Sequence, residues 1–121
     1  MLQEIKAYKL AFEQAMNIFE ITKSFPKEEK YSLTDQIRRS SRSVCANLGE
    51  AYRKRQYKAH FMSKLSDCDM ENAETQVWIE FAYACKYITE ENCMNLSKAS
   101  GNVGKHIGFM IRNPERFLPK T

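Results

Sequence analysis

Residues that interrupt a helix are scarce in this chain, and their placement leaves room for only a few long helices. Proline occurs only at positions 26, 114 and 119, and glycine only at 49, 101, 104 and 108. Between these points apolar residues recur every three or four positions, the repeat of a helix that buries one face. No stretch shows the strict alternation of a half-buried strand.

The first segment, from about residue 2 to 24, places Ile5, Tyr8, Phe12, Ala15, Phe19 and Thr22 on one face. Phe25-Pro26 closes it, because the residue before a proline avoids helical backbone. A charged linker, KEEKY, leads into a second helix. Ser32 with Asp35 three residues on resembles a capping box there, and Thr34 is the alternative cap. Its stripe is Leu33, Ile37, Ser41, Val44, Leu48 and either Tyr52 or Ala51. It ends near Arg55, where basic side chains suit the negative end of the helix dipole. The third and longest helix, about 58–87, carries Phe61, Leu65, Cys68, Asn72, Thr75, Ile79, Ala82 and Cys85, bordered by Trp78 and Phe81. Thr89, followed by Glu90 and Glu91, opens a fourth. Its stripe is Cys93, Leu96, Ser100, Val103, Ile107 and Met110 or Ile111, and Asn113-Pro114 stops it. Four such helices with short connections predict an all-α, antiparallel up-down-up-down four-helix bundle over residues 1–113, followed by a tail at 114–121.

The chemistry of known bundle enzymes is missing. Di-iron bundles need inward Glu-x-x-His pairs, but His60 and His106 follow Tyr57 and Val103 at that spacing. Cys45, Cys68, Cys85 and Cys93 fit no paired-ligand zinc pattern and read as reduced thiols packed as small hydrophobes. Gly101-x-x-Gly104 lacks the Lys-Ser/Thr of a phosphate loop. We therefore expect no catalytic residue, metal or cofactor. MLQEIKAYKL is too charged for a signal peptide, and no stretch approaches the ~18 uncharged apolar residues of a membrane span. The expectation is a cytoplasmic protein.

Net charge is +4, which permits contact with nucleic acid without demanding it. Its distribution is uneven. Residues 35–64 hold Arg38, Arg39, Arg42, Arg53, Lys54, Arg55, Lys58 and Lys64 against only Asp35 and Glu50. Residues 67–91 reverse the sign, with Lys86 the one base among Asp67, Asp69, Glu71, Glu74, Glu80, Glu90 and Glu91. Such acids most often form a solvated helix face. Trp78, Phe81, Tyr83 and Tyr87 spread around more of the third helix than one seam uses, which suggests packing against another subunit.

The stretch QIRRSSRSVCANLGEAYRKR concentrates the positive charge. Arg38, Arg39 and Arg42 share a broad helical face, and Arg53, Lys54 and Arg55 cluster at its end with Lys58 beyond. Small residues between them, including Ser43, Ala46 and Gly49, let another helix or a phosphate backbone come close. Asn47 and Glu50 read as structural polar residues, Glu50 pairing with Lys54 or bonding across a helix contact. Arginine forks suit carboxylates and phosphates alike, so both a nucleic-acid surface and a subunit contact remain open.

In this stretch the chain resembles the four-helix-bundle proteins encoded in intervening sequences of bacterial large-subunit ribosomal RNA genes. These are related to the accessory variability determinants of diversity-generating retroelements. Gln36, Arg38, Arg39, Ser43, Val44, Asn47, Leu48 and Glu50 carry the resemblance, while Ala51 stands where relatives usually have glycine. The resemblance implies a homopentamer shaped like a short barrel. It also implies a basic surface similar to one that engages a reverse transcriptase and nucleic acid in the retroelement branch. The expected function is a non-enzymatic, self-assembling adaptor that contacts RNA or DNA phosphates without reading bases. The alternative is an oligomeric scaffold for a protein partner, with its arginines at subunit contacts.

Overall fold

Breaker spacing and apolar repeat produce four helices in the computed structural model, which describes residues 1–120. They are α1 (Lys6–Thr22), α2 (Leu33–Arg53), α3 (Lys58–Ala84) and α4 (Glu90–Arg112), with single 3-10 turns at Leu2–Glu4, Lys27–Glu29 and Pro114–Arg116. Each helix packs on two others in the cyclic order α1-α2-α3-α4, which leaves α2 and α4 across one diagonal. Helices α2 and α3 run antiparallel: as α2 is followed from Ser40 to Val44 to Glu50, its partners on α3 retreat from Thr75 to Cys68 to Lys64. Among the described residues there is no strand, and no helix is long and apolar enough to cross a membrane.

The core has two apolar halves with a polar waist between them. Val44, Leu48, Phe61, Leu65, Val103 and Ile107 anchor one half, and Ile18, Ile37, Ile79 and Leu96 anchor the other. At the waist Asn72 Oδ1 accepts from Gln14 Nε2 at 3.3 Å and from Ser100 Oγ at 3.2 Å. Its Nδ2 donates to the Ser100 carbonyl at 3.0 Å. Ser40 and Thr75 share a further buried hydrogen bond of 2.8 Å. Burial obliges these groups to find partners in one another.

The stripes expected on α2, α3 and α4 are buried nearly as read, with Ala51 rather than Tyr52 facing the core. Helix α1 differs. Its buried positions are Ala7, Ala11, Gln14, Ala15, Ile18 and Thr22, whereas Phe12 is 51% exposed and Tyr8 and Phe19 lie half-buried. Small side chains let α1 approach its neighbours closely, and the aromatic rings are turned to the flanks.

The ends also depart from the sequence reading. No Ser32 side-chain cap forms; Glu29 instead reaches into the α2 terminus, accepting from Leu33 N at 3.2 Å and from the Ser32 hydroxyl. The Tyr87 hydroxyl donates to the same carboxylate at 2.7 Å, so the Ser32 and Tyr87 hydroxyls together hold the Glu29 carboxyl below its usual range. Thr89 does cap α4, accepting from Asn92 N at 3.0 Å. Helix α3 stops at Ala84 because Lys86 turns left-handed at φ 64°. Lys86 N then bonds the Tyr83 carbonyl and Tyr87 N the Ala82 carbonyl, the paired closure of a Schellman end. That termination leaves Cys85 exposed rather than in the stripe, and Cys93 is half-buried. Beyond α4, Pro114 is buried and Phe117 and Leu118 pack on the core, so the start of the expected tail is docked.

Two glycines of α4 separate packing from propensity. A Cβ at Gly101 would meet nothing within 4 Å, whereas one at Gly104 would lie 3.2 Å from Asn72 Nδ2. Gly101→Ala is expected to raise the unfolding free energy by about 0.5–1 kcal/mol. Gly104→Ala is expected to lower it, because the Asn72 amide is tied by its hydrogen bonds and cannot retreat. Urea midpoints of the two variants check the opposite signs.

Candidate functional site

The basic residues singled out in the sequence divide into those spent inside the chain and those left facing outward. Arg38 is spent. Its Nε donates to Thr22 Oγ1 at 2.7 Å and its Nη2 to the Phe19 carbonyl at 3.4 Å, while the guanidinium sits 4.9 Å from the Phe19 ring centre. It thus adds a donor to a carbonyl in the last turn of α1 that is otherwise reached by the Thr22 hydroxyl at 3.0 Å. Arg39 spans to α3, 3.1 Å from Glu71 and 2.6 Å from Glu74, and hydrogen bonding to Glu71 and Glu74 pushes its already high pKa further up. Glu50 pairs across the helix contact with Lys64 at 2.6 Å rather than with Lys54. Asn47 Nδ2 donates to the Ser43 carbonyl at 2.9 Å within α2. Arg55 bonds the Tyr52 carbonyl at 2.9 Å and stacks 3.7 Å from the Tyr52 ring centre, and Lys58 pairs with Glu115 at 3.0 Å.

Arg42, Arg53 and Lys54 remain exposed, with no carboxylate partner among the described residues. Arg42 rests 5.7 Å from the Phe19 ring centre, which steadies it without neutralising it. Two hollows meet along the outer face of α2. One, of about 550 Å³, is lined by Lys30, Tyr31, Arg38, Arg39, Arg42 and Ala46, among others. The other, of about 630 Å³, takes in Leu2, Ala46, Gly49, Arg53 and Lys54. Ala46 is common to both, so the two abut as a trough along α2, with Ser43, Ala46 and Gly49 among its lining and with Asp35 and Glu50 standing among the cations. Lys30 was not among the candidates from sequence; its signal is a lysine beside Tyr31, whose ring centre lies 5.3 Å from its ammonium.

A separate hollow of about 600 Å³ between α2 and α3 is lined by Asn47, Asp67, Met70, Glu71 and Glu74. Arg39, bound to both glutamates, forms the wall between the basic trough and this acidic one. The two hollows thus differ in residue charge, and the acids of the second are ion-paired within the chain, Glu71 and Glu74 to Arg39 and Asp67 to Lys64 at 3.7 Å.

The two thiols set in the core half around Val44 and Leu65, Cys45 and Cys68, are not poised for attack. Burial pushes the Cys45 thiol up to about 11 and raises that of Cys68 further, leaving essentially no thiolate at neutral pH. His60 is exposed, its ring 5.8 Å from that of Tyr57. No three His, Cys, Asp or Glu side chains converge to hold a metal among the described residues.

Comparison with known proteins is consistent with this architecture. A solved structure from Bacteroides thetaiotaomicron, a protein of unknown function from the S23 ribosomal protein family, is similar with a TM-score of 0.82 and 29% identity. The similarity covers 93% of this chain and 99% of that one. No curated protein sequence matches the chain. Residues 3–108 match the model of the 23S rRNA-intervening sequence proteins. The chain belongs to the 23S rRNA-intervening sequence protein family.

Proposed function

We propose that this protein is a non-enzymatic, self-assembling adaptor whose α2 surface contacts the phosphates of RNA or DNA. The observation that carries the reading is the trough along α2, where Arg42, Arg53 and Lys54 stand exposed without an ion-pair partner among the described residues and outnumber the lining acids Asp35 and Glu50. Arg42 and Arg53 lie about 16 Å apart along the helix, a reach that suits several phosphates rather than one small anion. The homopentamer implied by the resemblance would sum a modest charge per chain into a strong field. Readout would be of backbone charge alone, since no base-reading motif lines the trough.

The test is binding of a labelled structured RNA across a salt series. Native protein is expected to bind at low salt and to weaken steeply as salt rises. R42E/R53E/K54E is expected to lose about a hundredfold in affinity. Salt-insensitive binding, or none at low salt, would overturn the proposal.

A second reading has its own observation in favour. The hollow lined by Asp67, Glu71 and Glu74 is opposite in residue charge to the basic trough, and its acids, held by Arg39 and Lys64 within the chain, would have to share their oxygens with the trough of a second copy. If R42E/R53E/K54E reduces the mass in solution to that of one chain, the trough is a subunit seam and the scaffold reading replaces the adaptor. Arg38 and Arg39 are poor probes, because reversing either would break contacts inside the chain.

A further inference from the structure

Across the bundle from α2, helix α4 holds no acid after Glu91, and the next in the chain is Glu115. Lys98, Lys105 and Arg112 recur every seven residues, which aligns them on one face at steps of about 10 Å. All three are exposed, and none reaches a carboxylate among the described residues. Glu115, the acid at this end of the bundle, is bound to Lys58.

The charge is gathered most closely near the end of the helix. Lys105, His106, Phe109 and Arg112 line a hollow of about 290 Å³. The Arg112 guanidinium folds back over Gly108, where a Cβ would lie 2.9 Å from Nη1, so its charge moves toward Lys105. Arg116 sits 5.5 Å from the Phe109 ring centre, and Phe117 meets the same ring edge-on at 6.3 Å. Phe109 is thereby held in place while 39% exposed. Cations collected without a counter-charge repel one another, and an anionic ligand relieves that repulsion.

The geometry points to the outer face of α4 as a track for single-stranded nucleic acid, with phosphates on Lys98, Lys105 and Arg112 and an unpaired base on Phe109. A cationic rail beside an exposed aromatic ring is how proteins bind single strands without reading sequence. A duplex keeps its bases stacked and offers the ring nothing. A membrane surface fits less well, because Leu96, Val103, Ile107 and Met110 are buried and the exposed Met94 and Phe109 lie about 22 Å apart along the helix. An acidic protein partner fits less well too, since the stripe lacks the apolar centre of a protein interface. This surface shares only its ligand class with the α2 trough and uses none of the same residues.

The experiment titrates the full chain against a short fluorescein-labelled single-stranded RNA and against the same sequence as a duplex, over a salt series. K98Q/K105Q/R112Q is expected to lose about tenfold or more in single-strand affinity at low salt, and the salt slope should fall by about two. F109A is expected to lose about tenfold on the single strand and nothing on the duplex. Native circular dichroism and mass in solution establish that both variants are folded and assembled. The inference is overturned if the triple variant binds single strands with native affinity and slope. It also falls, while the α2 proposal stands, if only R42Q/R53Q/K54Q loses RNA. If α4 variants lose RNA and the α2 variant does not, the present inference stands and the α2 assignment falls. Binding of anionic vesicles through these residues, with no RNA binding, sinks both.

Discussion

Asn72→Ala is expected to destabilise the protein by about 3 kcal/mol, seen as a lower denaturant midpoint with an unchanged slope. Asn72 is 2% exposed and bonds to Gln14 and to both the hydroxyl and carbonyl of Ser100. Truncation strands Gln14 Nε2 and the Ser100 hydroxyl in a setting where Gln14 Oε1 already lacks a partner. The cost comes from desolvated groups left unmatched, more than from the net worth of the bonds. A triple variant, Gln14→Leu with Asn72→Leu and Ser100→Ala, is therefore expected to recover most of the loss. A cost below about 1 kcal/mol for Asn72→Ala would mean that the waist contributes little to stability.

Phe61→Ala is expected to cost about 4 kcal/mol, a large share of the stability of an ordinary domain. Phe61 is 1% exposed, near the start of α3, and belongs to the apolar half that includes Leu48, Leu65, Ile107 and Met110. All four helices supply that half, so no single neighbour can close over the missing ring. Thermal or urea unfolding measures the loss. Phe12→Ala, at a ring of similar size but 51% exposed, is expected to change stability by less than about 1 kcal/mol.

These contrasts mark where sequence and structure part company. Phe61, Leu65, Cys68, Asn72, Thr75 and Ile79 were legible as one face because α3 keeps its three-four spacing without interruption. Helix α1 was legible as a helix but not in its buried face. Its large aromatics drew the reading toward Phe12, whereas close approach of the helices selected Ala7 and Ala11. Cap chemistry was legible at Thr89, whose bond is local, but Glu29 serves α2 from a preceding turn and is also held by Tyr87, 58 positions away. The basic character of α2 was plain from composition. Which cations are free was not, because Arg39 meets carboxylates 32 and 35 positions along the chain. The α4 stripe was not legible from composition, because six residues separate each pair of its cations and they align only once the helix is wound.

The buried amide layer also gives the molecule a transverse seam. Helices are joined there, across the α1–α3 diagonal as well as between neighbours, by directional polar bonds rather than by interlocked hydrocarbon, so each end has its own local cohesion. Amides flanking Ile37 and Ile79 should then exchange with solvent as one group, and those flanking Leu65 and Ile107 as another, each reporting its own opening energy. A ligand held at only one end would slow exchange at that end first.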